Sequence, residues 1–394
     1  MTRYLLDITR SISRIGKGLP TGVDRVEQAY ISAISARDPQ ALALAKTGTE
    51  FMVLDLAGVA ANLPRLQEGD APGRLAFKDA LRLKIPRPQR MARSFLRNHA
   101  ETSGSTLAKA LGKLRPSEYI NVGHTNLDDE NLSFLKELGI KVSVLVHDLI
   151  PLEFPEYTRP RVIDTFQARM RSAARYADRI ICNSQATADS VAQVFAGWGP
   201  VPSRTVAHLG IDTTAQSHAP TEPPSFVVLG TIEPRKNHAV LLQAWELLAA
   251  EGDTKSILKI IGRRGWMNED VFKWLDTHPL ARTQVRELPD VDDASLSAHL
   301  ASARALLFPS FVEGFGLPAL EAAQMGLPVI CSDLPIFHEI LGDYGTYLNP
   351  KDDAAWAAAV KSVAEGHAPD RPKSHISCDI PTWDSHFRHV LDGH

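Results

Sequence analysis

The chain is predicted to fold as two α/β domains, each built on a parallel sheet, and three observations carry that expectation. Short apolar runs alternate with helix-length segments along most of its 394 residues, the pattern of repeated βαβ units. A polar, proline-rich stretch at 213–224, Thr-Thr-Ala-Gln-Ser-His-Ala-Pro-Thr-Glu-Pro-Pro, divides the alternation into halves. Several of the apolar runs end in glycine or polar pairs, which is where an open parallel sheet places its ligand contacts. Each half is long enough to bury its own core.

In chain order, residues 3–8 read as a first strand. Gly16, Gly18 and Gly22 follow in a loop, and a helix begins near Val23. Taken alone, Thr21-Gly22 marks only that helix start. The apolar run at 51–56 is a second strand. Between Arg74 and Arg97 the chain carries Arg74, Lys78, Arg82, Lys84, Arg87, Arg90, Arg93 and Arg97 against one acid, Asp79, with Leu75, Phe77, Leu81, Leu83, Ile85, Met91, Phe95 and Leu96 interleaved. Two readings stand for 74–97: peripheral contact with an anionic membrane face, or a solvated helical face with no partner. Nucleic acid is disfavoured, because aromatic interleaving is sparse and the formal net charge is −3.

Residues 119–123 and 141–146 are strands flanking a helix at 130–138. Directly after the second comes His147-Asp148, a polar pair at the carboxyl end of a buried parallel strand. Residues 179–184 are another strand, whose terminal Ser184 suits a helix cap.

The second half restarts at 225–230. Its strand turns into Thr231-Ile232-Glu233-Pro234-Arg235-Lys236-Asn237-His238, where adjacent cations after a glycine suit a diphosphate: arginine offers a planar fork of donors and lysine a point charge. The strand at 257–261 ends in Gly262-Arg263-Arg264-Gly265-Trp266, and the strand near 285–288 leads into Pro289-Asp290-Val291-Asp292. The run Ala305–Pro309 reads as a buried strand before Glu313-Gly314-Phe315-Gly316-Leu317-Pro318-Ala319-Leu320-Glu321. Pro318 suits the first helical position and Gly326 the far end. The Gly314, Phe315, Gly316 and Leu317 amides therefore sit near a helix N-terminus, a place suited to an anion. A carboxylate aimed at phosphate would be repelled, so Glu313 and Glu321 are expected to accept hydrogen bonds from hydroxyls on either side of it. Strands at 328–333 and 345–348 and a helix from Asp352 complete the half.

Composition narrows the function classes. With 44% hydrophobic and 23% charged residues the chain is that of a soluble globular protein. Cys182, Cys331 and Cys378 form no disulfide framework and no zinc spacing, and the fourteen histidines fall in no HExxH-like arrangement. No metal site is expected. The N-terminal apolar run is too short for a signal peptide and no stretch is long enough to span a membrane, so a cytoplasmic location is expected, with association at the inner membrane face left open.

The segment 313–321, with its ExxxxxxxE spacing, resembles the signature of retaining glycosyltransferases of the GT-B fold, in the large family numbered four. The likeness covers nearly the whole chain, dense from Phe226 to Pro350 and thin before Tyr119. It implies two Rossmann-like domains facing a cleft: an acceptor-binding domain at 1–215, a linker at 216–224, a nucleotide-sugar domain at 225–375 and a segment at 376–394 crossing back to the first. It implies that Glu313 contacts the donor hexose and Glu321 the ribose, and that His147 lies beside the reacting sugar. Lys236, and less directly Arg235, would neutralise the leaving diphosphate, while Thr231 stands where the family commonly has arginine. Gly22 would approach the donor phosphate, and the turns at Arg263 and Val291 the base. Asp148 and Ser184 would lie toward the acceptor. The implied reaction is transfer of a hexose from a nucleotide diphosphate sugar to a glycan or lipid-linked acceptor, without a cofactor or metal. The Thr-Ile-Glu-Pro-Arg-Lys-Asn form is most similar to mannosyltransferases of surface polysaccharide assembly, which favours GDP-mannose. Two alternatives remain: a sugar-nucleotide epimerase or phosphorylase on the same fold, and a nucleotide-sugar-binding protein without turnover.

Overall fold

The computed structural model describes residues 3–17, 21–70, 72–80, 82, 84–211, 219–367 and 380–392. Gly18, Leu81, Leu83, Cys378, residues 216–218 of the expected linker and 376–379 of the expected crossing segment lie outside the described residues.

The first sheet has eight strands: β1 (Tyr4–Asp7), β2 (Leu42–Thr47), β3 (Glu50–Asp55), β4 (Thr102–Gly104), β5 (Glu118–Asn121), β6 (Lys141–Val146), β7 (Arg179–Cys182) and β8 (Ser203–Val206). Their order is β4-β3-β2-β1-β5-β6-β7-β8. From β2 to β8 the neighbours run parallel, and β3 and β4 add an antiparallel edge. The run at 51–56 is therefore the third strand, folded back on β2 through a turn in which Gly48 adopts φ 67°. The Ala-Leu-Ala-Leu-Ala composition of 41–45 favours helix locally, and burial between β1 and β3 overrides it.

The second sheet has six strands: β9 (Ser225–Leu229), β10 (Ile257–Ile261), β11 (Val285–Leu288), β12 (Ala305–Phe308), β13 (Val329–Ser332) and β14 (Gly345–Leu348). All are parallel, in the order β11-β10-β9-β12-β13-β14. Counted within this sheet the order is 3-2-1-4-5-6, so strand direction of travel reverses between β9 and β12. The crevice at their carboxyl ends is the place such a sheet offers a ligand. There the 230–238 turn and the 309–321 loop meet.

The basic 74–97 segment becomes a short turn of helix at Phe77–Ala80 and a helix at Arg87–His99. Ala92, Phe95 and Leu96 enter the core, and Arg97 pairs with buried Asp79 and with Glu50. This apolar face packs on protein, while Arg74, Lys78, Lys84 and Arg87 stay exposed.

The segment 380–392 packs against the first domain. Phe387 meets the Tyr30 ring edge-on at 5.0 Å, and the Tyr30 hydroxyl lies 2.9 Å from His386 Nε2. Arg179 on β7 ties this segment to the sheet: Nη1 donates to the Val390 carbonyl (2.8 Å), Nη2 to Glu118 Oε1 on β5 (2.8 Å) and Nε to Ser143 Oγ on β6 (3.1 Å). Removing Arg179 leaves buried Glu118 facing the more distant Lys141, 4.0 Å away, and strips the Ser143 and Val390 oxygens of their donor. Arg179→Ala should therefore lower unfolding stability by about 3–5 kcal/mol in a denaturant titration. A loss below about 1 kcal/mol, the worth of an exposed pair, would show that the network does not hold the strands and the C-terminal segment together.

Candidate active site

At the end of β9, Gly230 adopts φ 133°, and a side chain there would press on Lys236, whose Cε lies 3.2 Å from the position of the missing Cβ. The chain then makes a single 3₁₀ turn at Pro234–Lys236, stopped by Asn237 in the left-handed region at φ 51°. Asn237 Nδ2 donates to the carbonyls of Pro309 (3.1 Å) and Pro350 (2.7 Å), pinning this turn to the end of β12.

The pinning brings Arg235 and Lys236 onto Glu313. Arg235 Nη1 donates to Glu313 Oε2 at 2.8 Å, and Lys236 Nζ to Oε1 at 2.5 Å. Ser310 Oγ donates to Oε1 at 2.6 Å, and Arg235 is shared with Glu233 at 2.7 Å. Burial alone would push the Glu313 carboxyl upward; the two cations and the Ser310 hydroxyl outweigh it and hold the pKa at about 2. Burial draws Lys236 below the usual amine value while Glu313 opposes it, and Glu313 and Glu233 raise Arg235 against its burial. Glu313 was expected to face neutral hydroxyls. It accepts from three protein donors, one of them the Ser310 hydroxyl, because the largely buried cations Arg235 and Lys236 need a counter-charge.

Beyond Glu313 the loop turns at Gly316, φ 95°, into the helix Leu317–Gln324. Pro318 is the second helical residue rather than the first, since Gly316 already serves as cap. Gly314 packs against the other domain: a Cβ there would lie 2.7 Å from the His147 carbonyl oxygen and 3.0 Å from Asp148 Oδ2. Only a residue without a side chain lets the two loops approach this closely.

His147 is buried, with Nε2 donating to the Val122 carbonyl at 2.8 Å, which leaves Nδ1 unprotonated in the neutral ring. Burial, with the His124 ring 5.3 Å away, lowers its pKa to about 3. Asp148 Oδ1 caps Ile150 N, and burial raises its carboxyl. Ser184 does not face the cleft. It is fully buried and accepts from Thr187 N at 3.0 Å as the cap of the helix Gln185–Ala196, while Thr187 Oγ1 reaches the Gly314 carbonyl at 3.3 Å. Ser184 therefore acts on the site only through the helix it starts.

Val291, Leu317 and Glu321 share the wall of a cavity of about 1060 Å³, whose opposite wall includes Arg25 and Gln28 of the first domain. Gly22 stands beside it, 3.7 Å from Leu317 Cδ1 to a Cβ built there. Arg263 stands at the exposed edge, paired with Asp290, the neighbour of Val291, and Thr231 is exposed. Two residues that sequence reasoning did not single out bridge the domains. Glu339 accepts from Gln185 N, Ala186 N and His208 Nε2, capping a helix of the first domain from the second. Arg25 reaches Glu321. Glu339 belongs to no recognisable local motif, and Arg25 lies in the stretch Thr21–Val26 that marks a helix start; each gains its partner only when distant segments meet. Among the described residues no group of three or more His, Cys, Asp or Glu side chains is placed to hold a metal ion.

Residues 211–374, which include the turn, the loop and one wall of the cavity, match the family described as glycosyl transferases group 1. The chain carries a glycosyl transferases group 1 domain. Over 246 residues it is 35% identical to the serotype-specific mannosyltransferase WbdA of Escherichia coli, a match covering 58% of this chain and 30% of that protein. It is 41% identical over 138 residues to the O-antigen chain mannosyltransferase B of Escherichia coli, covering 35% of this chain and 36% of that protein. The chain thus spans about a third of the length of these curated relatives. Among solved structures, Anabaena Alr3699/HepE in complex with UDP and glucose superposes with a TM-score of 0.66 at 15% identity, covering 100% of this chain and 99% of that one. The fold is GT-B, with the group 1 domain supplying the second sheet and both arms of the Arg235–Lys236–Glu313 cluster.

The neutral His147 gives a signed pH dependence. Unfolded, the ring takes a proton below its ordinary pKa of 6.5; folded, it stays neutral down to about 3. Its contribution to stability is complete above pH 6.5 and is lost as pH falls toward 3. The stability advantage of the native chain over His147→Gln should therefore be constant above pH 6.5 and shrink below it, by up to about 1.4 kcal/mol per pH unit. Parallel pH profiles for the two proteins would show that this ring is not buried neutral.

Proposed function

We propose that this protein is a retaining glycosyltransferase that moves a hexose, mannose being favoured, from a nucleotide diphosphate sugar to a glycan or lipid-linked acceptor in surface polysaccharide synthesis. The observation that carries the reading is the Arg235–Lys236–Glu313 cluster at the β9/β12 switch point, beside the amides of the Gly314–Leu317 loop. Charge develops on the departing diphosphate during such a transfer. Fixed donors aimed at that charge need no reorganisation as it forms. Arg235 and Lys236 are held by Glu313 before any ligand arrives, and the loop amides stand at a helix N-terminus.

Glu321 and Val291, in the wall of the large cavity, are assigned to the nucleoside, with GDP favoured. His147 and Asp148, against Gly314, are assigned to the sugar and the acceptor side. The acceptor hydroxyl would attack on the face from which diphosphate leaves. A new C–O bond forms at the anomeric carbon as the bond to phosphate breaks, and the proton passes to a leaving phosphate oxygen. Neutralisation runs through side chains and amides, so transfer is expected to be indifferent to EDTA. The mannosyltransferase names of the two relatives support the choice of sugar. A cytoplasmic location at the inner membrane face accords with a lipid-linked acceptor, the exposed cations Arg74, Lys78, Lys84 and Arg87 serving as the electrostatic contact. No helix among the described residues is long and apolar enough to cross a membrane.

Thermal stabilisation by a panel of GDP, UDP, ADP and their sugars, with and without EDTA, tests the donor assignment. A ligand at about 100 times its Kd should stabilise by about 2.7 kcal/mol. Lys236→Ala should retain the fold and lose on the order of 10²–10³ in kcat, the usual effect of deleting one preorganised donor. Full turnover in that variant would overturn the assignment of Lys236.

A further inference from the structure

The first turn of the helix Gly22–Arg37 is fixed with unusual care for a surface helix. Asp24, almost fully buried, accepts from Thr21 N at 2.8 Å in a capping box, and also pairs with Arg10 at 2.8 Å and Arg14 at 3.2 Å. The next residue, Arg25, is thereby directed out of its own domain. Its Nη2 donates to Glu321 Oε1 of the group 1 domain at 2.5 Å. Glu321 Oε2 accepts no hydrogen bond from the described residues, and the pair lies in the wall of the 1060 Å³ cavity.

A carboxylate beside a diphosphate site raises the energy of the bound anion. Arg25 cancels that charge and orients the group through one oxygen, leaving the other for a ligand hydroxyl. The side chains are 40% and 24% exposed, so in open solvent the pair contributes no more than about 1 kcal/mol and does not lock the cleft. A nucleoside in the cavity would exclude water from it, and the attraction would strengthen as the local dielectric falls. Donor occupancy and the approach of the two domains are then coupled, and the coupling is reciprocal.

We propose that Arg25 is a positioning residue of the donor site: supplied by the acceptor-side domain, it holds Glu321 for the ribose hydroxyls of a nucleoside diphosphate and couples donor binding to domain closure. This inference rests on the donor reading above. It assigns to the first domain a share in recognising the nucleoside through a residue that need not touch it.

Isothermal titration of GDP, UDP and ADP into the native chain, Arg25→Ala, Arg25→Lys, Glu321→Ala and the Arg25→Ala/Glu321→Ala double variant tests it. The expected result is an increase of about fivefold in Kd for Arg25→Ala, the scale of a half-exposed ion pair. Arg25→Lys should restore part of the loss, because it keeps the charge. In the Glu321→Ala background, Arg25→Ala should have no further effect, since its partner is already gone. Unchanged or tighter binding by Arg25→Ala overturns the inference, as do losses that simply add in the double variant. A native chain that binds none of the three nucleotides removes the donor reading and the inference with it; a native chain that binds, beside an Arg25→Ala variant that binds equally, removes the inference alone.

Discussion

The structure of this site depends on one buried carboxylate. Glu313 sits between Arg235 and Lys236 in a place where an unpaired charge of either sign would cost several kcal/mol. The three groups must therefore meet, and their meeting fixes the turn after β9 against the loop after β12. Asn237 and the Phe311 amide, which donates to the Arg235 carbonyl, complete the clamp with uncharged bonds. The cations are thus held in place by the protein before a ligand enters, which is what electrostatic preorganisation requires.

Around that clamp, the contact between domains has a different character. Gly314 lies against the His147 carbonyl, Tyr157 stacks on Phe311 with ring centroids 5.5 Å apart, Trp266 donates to the Tyr157 carbonyl, and Glu339 caps a helix across the gap. These polar and aromatic contacts fix the register of the two loops across the cleft. An apolar core crosses the seam as well: Leu209 and Ile211 of the first domain and Phe315, Leu317 and Phe337 of the second belong to one buried cluster with Phe387, Val390 and Leu391 of the C-terminal segment.

Much of the fold was legible as pattern. Four strands of the second sheet, β9, β10, β12 and β13, match their apolar runs closely, because they are buried almost throughout and their sequences have little freedom to be anything but apolar. β2 escaped notice because alanine and leucine favour helix when read locally, and only the neighbours β1 and β3 decide otherwise. Ser184 was legible as a cap, and the structure leaves it only that role, since its hydroxyl is enclosed with Thr187. Arg235, Lys236 and Glu313 were all singled out, but their mutual pairing was not: residues 77 and 78 positions apart reveal no contact in a linear pattern.

By itself, the sequence determined the two α/β halves, the helix start at the Gly314–Leu317 loop and the residue types that chemistry at the cleft would need. Those follow from local constraints: burial period, backbone freedom at glycine and proline, and the polarity of strand ends. Tertiary structure alone decided which charges neutralise one another. It gave Glu313 to two cations of the same domain and Glu321 to Arg25, 296 positions away on the other side of the cleft. Pairing depends on distance and on dielectric, and both are set only when the two sheets are brought face to face.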